Sequence, residues 1–468
     1  MKITFHGAAG GEVTGSSYLI ETAQARLVLD FGMFQGGARA EALNRLPAGY
    51  ERVDAVVVTH GHLDHTGRLP LLARANYGGP IYATPATIEM TALILRDSAK
   101  IQAQDSERHN RKRQRAGEPA EEPLYSPAHV EAILGRFQPV PYDQPVAVAP
   151  GIRACFAEAG HMLGSASIKL FVNEGGSERL VVFSGDLGPR GAPILKDYEP
   201  FQKADLVVLE STYGDRDHKP FPETVDQFLD IIRQAAAARG KILAPTFAVG
   251  RAQLLSLLLA WAFREHRIKP FPIYLDSPMA IEASKIYQHH FELFDDEMLK
   301  FMREGSLRQD LATLHLCPTA EDSKKINDLP GPLLVMAGAG MCNAGRILHH
   351  LRQNLWKPDT HVIISGFQAA DSLGRRLVDG EKVVTIHGEK VAVKAQIHSL
   401  GGFSAHAGQT DLLNWFSQMA GCRPRVVLTH GENPQRQALA AKIRERHNLM
   451  AQLPNLGETL ELGAEGRG

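Results

Sequence analysis

The sequence predicts an α/β protein with two domains, and three observations support this prediction. The chain has 468 residues, more than a single hydrophobic core usually serves. Short apolar runs of strand length recur along it, and each ends in a polar or glycine-rich turn. Between them lie stretches such as 224–239 and 251–266, where apolar residues recur every three or four positions, as on one face of a helix.

Eight apolar runs are the predicted strands. Continuous apolar strands are typically buried on both faces, and in open α/β sheets functional groups gather beyond the carboxyl ends of the strands. Polar residues can also simply mark where a strand stops. The runs are 26–32, 54–62, 180–188, 205–212, 241–250, 332–340, 361–368 and 425–432, and five of them carry Asp30, His60, Asp186, Glu210 and His430 near their ends.

The composition narrows the class of protein. Hydrophobic residues make up 44% and charged residues 22%, as in ordinary globular chains. The formal charge of -1 argues against a protein that coats nucleic acid by its bulk charge, although it is compatible with a local basic groove. The four cysteines form no C-x-x-C pair, and no stretch approaches 18 apolar residues, so we expect a cytoplasmic protein without a membrane segment. The 20 histidines are the one excess, and histidine is the commonest metal ligand.

The densest group of potential metal ligands is the segment HGHLDH, residues 60–65. A tight loop leaving a buried strand can direct His60 and His62 at one metal ion while Asp64 and His65 face a second. Imidazoles combined with carboxylates suit zinc best, with manganese or iron as alternatives.

Four residues cannot complete two coordination spheres, so further ligands are expected at other strand ends. His161 lies in EAGHMLGSAS, and His430 follows a predicted strand in LTHGE. Asp186, in FSGDLG, is a carboxylate that could bridge both ions.

The first 212 residues resemble the metallo-β-lactamase fold, an αββα sandwich that carries a dinuclear metal site. The features that match are HGHLDH, the later His161 and Asp186, and an opening strand that ends in Asp30.

The remaining motifs resemble the β-CASP branch of that family, whose members are mostly nucleases acting on RNA or DNA. Glu210 in ESTYGDR, His406 in FSAHAG and His430 in LTHGE match its three additional motifs. The chain looks like a minimal two-domain member, similar to the bacterial relatives of the RNA 3′-end cleavage factor.

The resemblance implies that one domain is inserted into the other. We expect residues 1–212 to form the first part of the metallo-β-lactamase domain, 213–384 the inserted α/β β-CASP domain, and 385–468 the return segment. It also implies an active site in the cleft between the two domains.

By resemblance, two zinc ions share a water molecule and convert it to a bridging hydroxide aimed at phosphorus. The expected products are then a 5′-phosphate and a 3′-hydroxyl. The implied ligands are His60, His62 and His161 for one ion, Asp64, His65 and His430 for the other, and Asp186 for both.

Three residues are predicted to be catalytic, namely Asp64, His406 and Glu210. Asp64 would also take the remaining proton or orient the water. His406 would protonate the leaving oxygen or steady the phosphate. Glu210 and Asp30 would accept the free N–H of a ligating imidazole, although Asp30 could equally be a turn residue.

Phosphate binding is predicted in the inserted domain, because PTFAVGRAQ, GAGMCNAGR and SGFQAADSLGRRL resemble the family's phosphate-binding segments. In the first, a strand ends at a glycine that opens a helix, so backbone N–H groups and an arginine can converge on an anion. Glycine is also the ordinary residue of such turns. The predicted residues are Gly250, Arg251, Gly340, Arg346, Arg375, Arg376 and His398.

The predicted function is a zinc-dependent nuclease of single-stranded RNA, endonucleolytic with exonucleolytic trimming as a second mode. DNA as substrate is an alternative, as is hydrolysis of a small ester or thioester, although such a substrate needs no inserted domain. A non-catalytic RNA-binding subunit is disfavoured because every ligand is retained. The sequence is compatible with a homo-oligomer and with binding to RNA-processing partners. No aromatic platform that stacks on bases is evident in the sequence.

Overall fold

The computed structural model describes residues 1–36, 39–366, 368–369 and 372–462. The chain folds into two compact units. The first unit comprises Met1–Arg190, Lys196–Asp217 and the chain from His406 onwards, and the second comprises Gly191–Leu195 and His218–Ala405. One unit is therefore inserted into the sequence of the other.

The strands are short, and most belong to three sheets. In chain order they are β1 Lys2–Phe5, β2 Ser17–Glu21, β3 Arg26–Phe31, β4 Ala55–Val57, β5 Ile81–Ala83, β6 Phe137–Pro139, β7 Val146–Ala149, β8 Ile152–Glu158, β9 Ala166–Glu174, β10 Ser177–Phe183, β11 Leu206–Glu210, β12 Lys241–Pro245, β13 Ile273–Asp276, β14 Leu314–Leu316, β15 Leu333–Ala337, β16 His361–Ile364, β17 Val383–Ile386, β18 Glu389–Ala392, β19 Gln396–Ser399, β20 Arg425–Thr429, β21 Ala451–Gln452 and β22 Thr459–Glu461.

The helices alternate with these strands. They are α1 Ala40–Leu43, α2 Leu63–Thr66, α3 Leu69–Arg74, α4 Pro85–Ala116, α5 Pro127–Leu134, α6 Phe221–Ala237, α7 Arg251–Arg264, α8 Pro278–His289, α9 Asp296–Glu304, α10 Leu307–Asp310, α11 Ala320–Lys325, α12 Ile347–Asn354, α13 Leu373–Val378, α14 Gln409–Ala420 and α15 Asn433–His447. Short 3₁₀ helices lie at Tyr50–Arg52, Phe291–Leu293, Ile326–Asp328 and Gly401–Phe403.

The first unit is an αββα sandwich. Its two seven-stranded sheets have the orders β22-β1-β2-β3-β4-β5-β6 and β21-β20-β11-β10-β9-β8-β7. Alternating strand residues explain the layers: Leu27 and Leu29 of β3 lie in the core between the sheets, whereas Val28 packs beneath α3, α4 and α5. On the second sheet, Val182 and Val207 pack beneath α14 and α15. The predicted sandwich is confirmed.

Parallel pairing brings the carboxyl ends of several strands to the same edges of this sandwich. β3, β4 and β5 are mutually parallel in the first sheet, and β10, β11 and β20 are mutually parallel in the second. Six of the seven predicted ligands follow β4, β10 and β20, and the seventh, His161, follows β8.

The second unit is built on a parallel sheet of order β14-β13-β15-β12-β16-β19, with a separate β17-β18 hairpin. Both faces are covered: Ile242 and Ala244 of β12 pack with α6, α7 and α8, and Leu243 packs on the opposite face with α12 and α13. Burial on both faces explains the continuous apolar runs of this region.

The unit boundaries differ from the predicted ones. The second unit begins at His218 rather than 213, and it continues to Ala405 rather than ending at 384. The reason is β19, which pairs with β16 as the last strand of the inserted sheet. Its sequence, QIHS, is polar and half-exposed because it forms a sheet edge, so it gives no apolar signal.

In the part of the chain that the structure describes, no helix combines the length and the apolar character needed to cross a membrane.

Candidate metal centre

The loop after β4 presents the HGHLDH segment. His62 directly precedes α2, and Asp64 and His65 lie in the first turns of that helix. His60 and His65 are buried, whereas His62 and Asp64 are half-buried.

The turn that carries His161 packs against the start of α4. Gly164 has a φ of +84°, and a Cβ atom there would lie 2.6 Å from the backbone nitrogen of Thr87. Only glycine allows both this backbone conformation and this close approach. The Oγ1 atoms of Thr84 and Thr87 each donate to the Gly164 carbonyl at 2.7 Å, which fixes the turn.

One group of potential ligands consists of His60, His62, His161 and Asp186. One ligand atom from each lies within 4.8 Å of every other. His161 Nε2 is 3.1 Å from His62 Nδ1, and His60 Nε2 is 3.5 Å from Asp186 Oδ2. Such spacing is compatible with atoms that surround one ion.

A second group consists of Asp64, His65 and His430, again with ligand atoms within 4.8 Å of one another. His65 Nε2 and His430 Nε2 are 3.3 Å apart. Asp186 lies beside both groups, because its Oδ2 is 3.4 Å from His65 Nε2 and its Oδ1 is 3.6 Å from His430 Nε2. The structure thus brings all seven predicted ligands together.

Hydrogen bonds behind the histidines determine which nitrogen faces the cluster. His65 Nδ1 donates to Asp30 Oδ2 at 2.7 Å. Thr59 Oγ1 donates to the same carboxylate at 2.8 Å and lies 3.0 Å from His60 Nδ1. His430 Nδ1 is held in the same way by a threonine hydroxyl, that of Thr212, at 3.0 Å. Each Nδ1 is thereby occupied, and each Nε2 atom faces the cluster.

Two of these residues have an unusual backbone. Asp30 has a φ of +56° and His430 a φ of +51°, the left-handed region that side chains other than glycine rarely adopt. The hydrogen bonds described above hold both side chains in the positions that this backbone gives them.

Unpaired buried atoms indicate that the cluster suits a cation. His60 Nε2 and Asp186 Oδ1 are buried without a hydrogen-bond partner among the described residues. Leaving such atoms unpaired costs free energy, which an ion among them would offset. Imidazole nitrogens with carboxylate oxygens are a zinc donor set.

The histidines of the cluster differ in protonation. Burial lowers the pKa of His60 well below its usual value and that of His62 to about 4, so both are neutral imidazoles at pH 7. Burial alone would lower the pKa of His65, but the charges of Asp186 and Asp30 outweigh it and raise that pKa well above its usual value. Burial alone would raise the pKa of Asp186, but the neighbouring histidines hold it well below the usual range. Because metal ions bind neutral imidazoles and ionised carboxylates, an ion would displace the proton of His65.

A further carboxylate–imidazole pair adjoins the cluster. His406 Nδ1 lies 3.3 Å from Glu210 Oε1, and Glu210 also accepts backbone N–H groups from Leu187 at 2.8 Å and Thr212 at 3.2 Å. Burial opposes protonation of His406, but the charge and hydrogen bond of Glu210 outweigh it and raise the pKa to about 9. The imidazole that Glu210 contacts is His406, which forms a third group of potential ligands with Asp186 and His430.

The predicted phosphate-binding residues all lie in the second unit. Gly250, with a φ of +83°, precedes α7, and Arg251 is buried at its start. Arg346 differs from the prediction, because Nη1 donates to Asp276 Oδ1 and to the Cys317 carbonyl, both at 2.7 Å, and Nη2 donates to the Pro318 carbonyl. These internal bonds make Arg346 a structural residue, a role that its glycine-rich context conceals.

The other four residues have different surroundings. Gly340 follows β15, and His398 Nε2 lies 3.0 Å from His361 Nδ1. Arg375 and Arg376 form exposed or half-exposed ion pairs, with Asp379 at 3.0 Å and Glu381 at 2.7 Å respectively. Exposed ion pairs contribute little stability, so an anion can replace the acidic partner at small cost.

Two residues that contact the histidines of the cluster were not predicted from the sequence. Thr59 and Thr212 orient His60 and His430. The available signal is their position, since Thr59 directly precedes the first histidine of HGHLDH and Thr212 follows Glu210 by two residues.

Comparison with known proteins places this site in a family. Family models match residues 10–154 as the metallo-β-lactamase superfamily, 252–377 as a β-CASP domain, and 390–454 as a Zn-dependent metallo-hydrolase RNA specificity domain. The fold and the site thus define a metal-dependent hydrolase.

Individual relatives cover nearly the whole chain. Ribonuclease TTHA0252 of Thermus thermophilus is 41% identical, over 94% of this chain and 95% of the relative. Transcription termination factor FttA of Pyrococcus abyssi is 28% identical, over 96% of this chain and 70% of the relative. A crystal structure of a protein of unknown function from Enterococcus faecalis V583 shares the fold, with a TM-score of 0.55, 14% identity, and coverage of 98% of this chain and 99% of that one. The chain belongs to the β-CASP family of the metallo-β-lactamase superfamily.

Proposed function

We propose that this protein is a zinc-dependent ribonuclease that cleaves single-stranded RNA internally, with exonucleolytic trimming as a second mode. The observation that carries the proposal is the position of Asp186, whose carboxylate lies beside both groups of potential ligands. The 41% identical relative named a ribonuclease and the matched RNA specificity domain support RNA as the substrate.

Two zinc ions fit the donor set. His60, His62 and His161 would hold one ion, Asp64, His65 and His430 the other, and Asp186 both. Bound ions supply Lewis-acid charge at the scissile phosphate and lower the pKa of water, so that no side-chain nucleophile is needed.

The side chains of this protein then handle the protons. Burial alone would raise the pKa of Asp64, but its hydrogen bond with His430 and the charges of His65 and His430 lower it to about 2. Asp64 is therefore ionised at neutral pH, and we assign to it the role of orienting the attacking water or accepting its proton. We assign proton donation to the leaving oxygen to His406, which Glu210 keeps protonated. Water attacks phosphorus, the bond from phosphorus to the 3′-oxygen breaks, and that oxygen takes the proton from His406, which leaves a 5′-phosphate and a 3′-hydroxyl.

The test is a substrate panel for the purified wild-type protein with its metal content measured. We expect cleavage of end-labelled single-stranded RNA, with 5′-phosphate products, and no turnover of lactones or thioesters. His62→Ala should abolish cleavage, while Asp230→Ala, which removes an exposed carboxylate, should not.

Two outcomes would contradict the proposal. If the metal-loaded protein left RNA and single-stranded DNA intact but hydrolysed a lactone or thioester, the function would be that of a small-ester hydrolase. If it cut single-stranded DNA and left RNA intact, it would be a DNA nuclease.

A further inference from the structure

Phe247 occupies the carboxyl edge of the parallel sheet in the second unit. β12 ends at Pro245, and Thr246 and Phe247 follow it. The neighbouring strands β15 and β16 end at the same edge, because both pair with β12 in parallel. In open α/β sheets, ligands bind beyond the carboxyl ends of the strands.

Glycines of the two adjacent turns hold the Phe247 ring in place. A Cβ atom at Gly340 would lie 2.6 Å from the ring, and one at Gly366 would lie 3.1 Å from it. The backbones of both turns therefore lie directly against the aromatic ring, and the space for side chains is taken by the ring itself.

Although its ring is fixed in this way, Phe247 remains 38% exposed. Apart from Phe291, no other phenylalanine among the described residues is exposed to this degree. An aromatic ring that is held rigidly but left open to solvent does little for the core, and it offers a flat apolar face at low entropic cost to a partner.

The proposed RNA substrate indicates the chemistry of that partner. The relative named a ribonuclease is 41% identical, and a model of an RNA specificity domain matches residues 390–454. The flat apolar face of Phe247 matches the flat face of a nucleobase in such a substrate.

We infer that Phe247 stacks on a nucleobase of the single-stranded RNA substrate. This inference rests on the proposed ribonuclease function and adds a base-binding surface to it. Stacking on an aromatic ring tolerates every base, because every base has a π-face. Phe247 therefore contributes to substrate affinity without sequence specificity.

Kinetics of Phe247→Leu test the inference, because leucine keeps an apolar side chain against Gly340 but lacks an aromatic face. We expect KM for single-stranded RNA to rise by at least about fivefold, with kcat and zinc content unchanged. Phe247→Tyr should restore the wild-type KM, and Phe291→Leu, which alters the other exposed phenylalanine, should not change it. An unchanged KM in Phe247→Leu, or a Phe247→Tyr variant as defective as Phe247→Leu, would overturn the inference.

A spectroscopic measurement separates base stacking from cleavage. In an Asp186→Ala background, Phe247→Trp should show tryptophan fluorescence that oligouridylate quenches and inorganic polyphosphate does not. Phe291→Trp in the same background should respond to neither. If polyphosphate quenched Phe247→Trp equally, or oligouridylate did not quench it, stacking would be refuted. If the quenching were observed but the wild-type protein did not cleave RNA, the proposed function would fail while base binding stood.

Discussion

Each unit of the molecule contains a buried carboxylate paired with a histidine at the same distance, yet only one of these two pairs adjoins a group of potential metal ligands. In the first unit, Asp30 Oδ2 lies 2.7 Å from His65 Nδ1. In the second, Asp276 Oδ2 lies 2.7 Å from His350 Nε2.

The surroundings explain the difference. The other nitrogen of His65 faces Asp186 and His430 at 3.4 and 3.3 Å, so it looks into a group of potential ligands. Asp276 instead also accepts from Arg346 at 2.7 Å and from Ser323 at 2.6 Å, and within the described ranges His350 belongs to no group of three potential ligands. Of these two pairs, only Asp30 with His65 therefore orients an imidazole whose second nitrogen meets other potential ligand atoms.

The largest effect on kcat is expected at a third carboxylate–histidine pair, His406 with Glu210. His406→Ala removes the proposed proton donor and should lower kcat by roughly 10²- to 10⁴-fold. Zinc content should stay unchanged, because the seven proposed ligands remain. Single-turnover cleavage of labelled RNA measures the loss, and parallel loss of zinc would instead make His406 a ligand.

Glu210→Gln tests how that pair sets the pH dependence. Because protonated His406 is the active form and its pKa is raised to about 9, kcat should hold through neutral pH and fall as pH rises through about 9. Removing the charge of Glu210 lowers this pKa, so the decline should begin at a lower pH. The measurement is kcat across the neutral and alkaline pH range. If kcat of the variant fell by the same factor at every pH, and its alkaline decline did not move to lower pH, the role of Glu210 would be purely structural.

Asp30→Asn and Asp276→Asn compare the two matched pairs directly. Loss of the hydrogen bond behind His65 should weaken zinc binding by roughly 10- to 100-fold, measured by competition with a chelator. Asp276→Asn should leave zinc affinity unchanged and lower the free energy of unfolding by about 1–3 kcal/mol, because Arg346 and His350 lose a charged partner. Equal effects of both variants on zinc would contradict the distinction.

The smallest effect is expected at Arg375, which is exposed and paired with Asp379. If it contacts RNA phosphate, Arg375→Ala should reduce the slope of log affinity against log salt by about one. Arg303→Ala, an exposed arginine on α9, is the control and should leave the slope unchanged. Stability should change by less than about 1 kcal/mol in either variant.

The features of the fold and of the site that can be predicted from the sequence are those encoded in short continuous segments. The α/β class follows from apolar runs, and the family resemblance follows from HGHLDH and the later strand-end motifs, and both are confirmed. The same motifs named the seven side chains that the structure brings together, although their roles as ligands stay a proposal.

The features that could not be predicted depend on contacts between residues that are far apart in the sequence. Nothing near Arg346 indicates that Asp276, 70 residues earlier, will occupy its guanidinium. Thr212 contacts His430 across 218 residues, and the edge strand β19 lacks an apolar pattern because it is half-exposed. The exposure of Phe247 likewise depends on turns that follow two other strands.

The central claim is that Asp186 joins two ion sites into one dinuclear centre. The most direct test is to measure zinc per chain and RNA cleavage together, in wild type and in Asp186→Ala. We predict close to two zinc ions per wild-type chain, and for Asp186→Ala a loss of zinc with no detectable cleavage. A wild-type protein that is fully active with a single zinc ion, or an Asp186→Ala variant that keeps both zinc and activity, would contradict the claim.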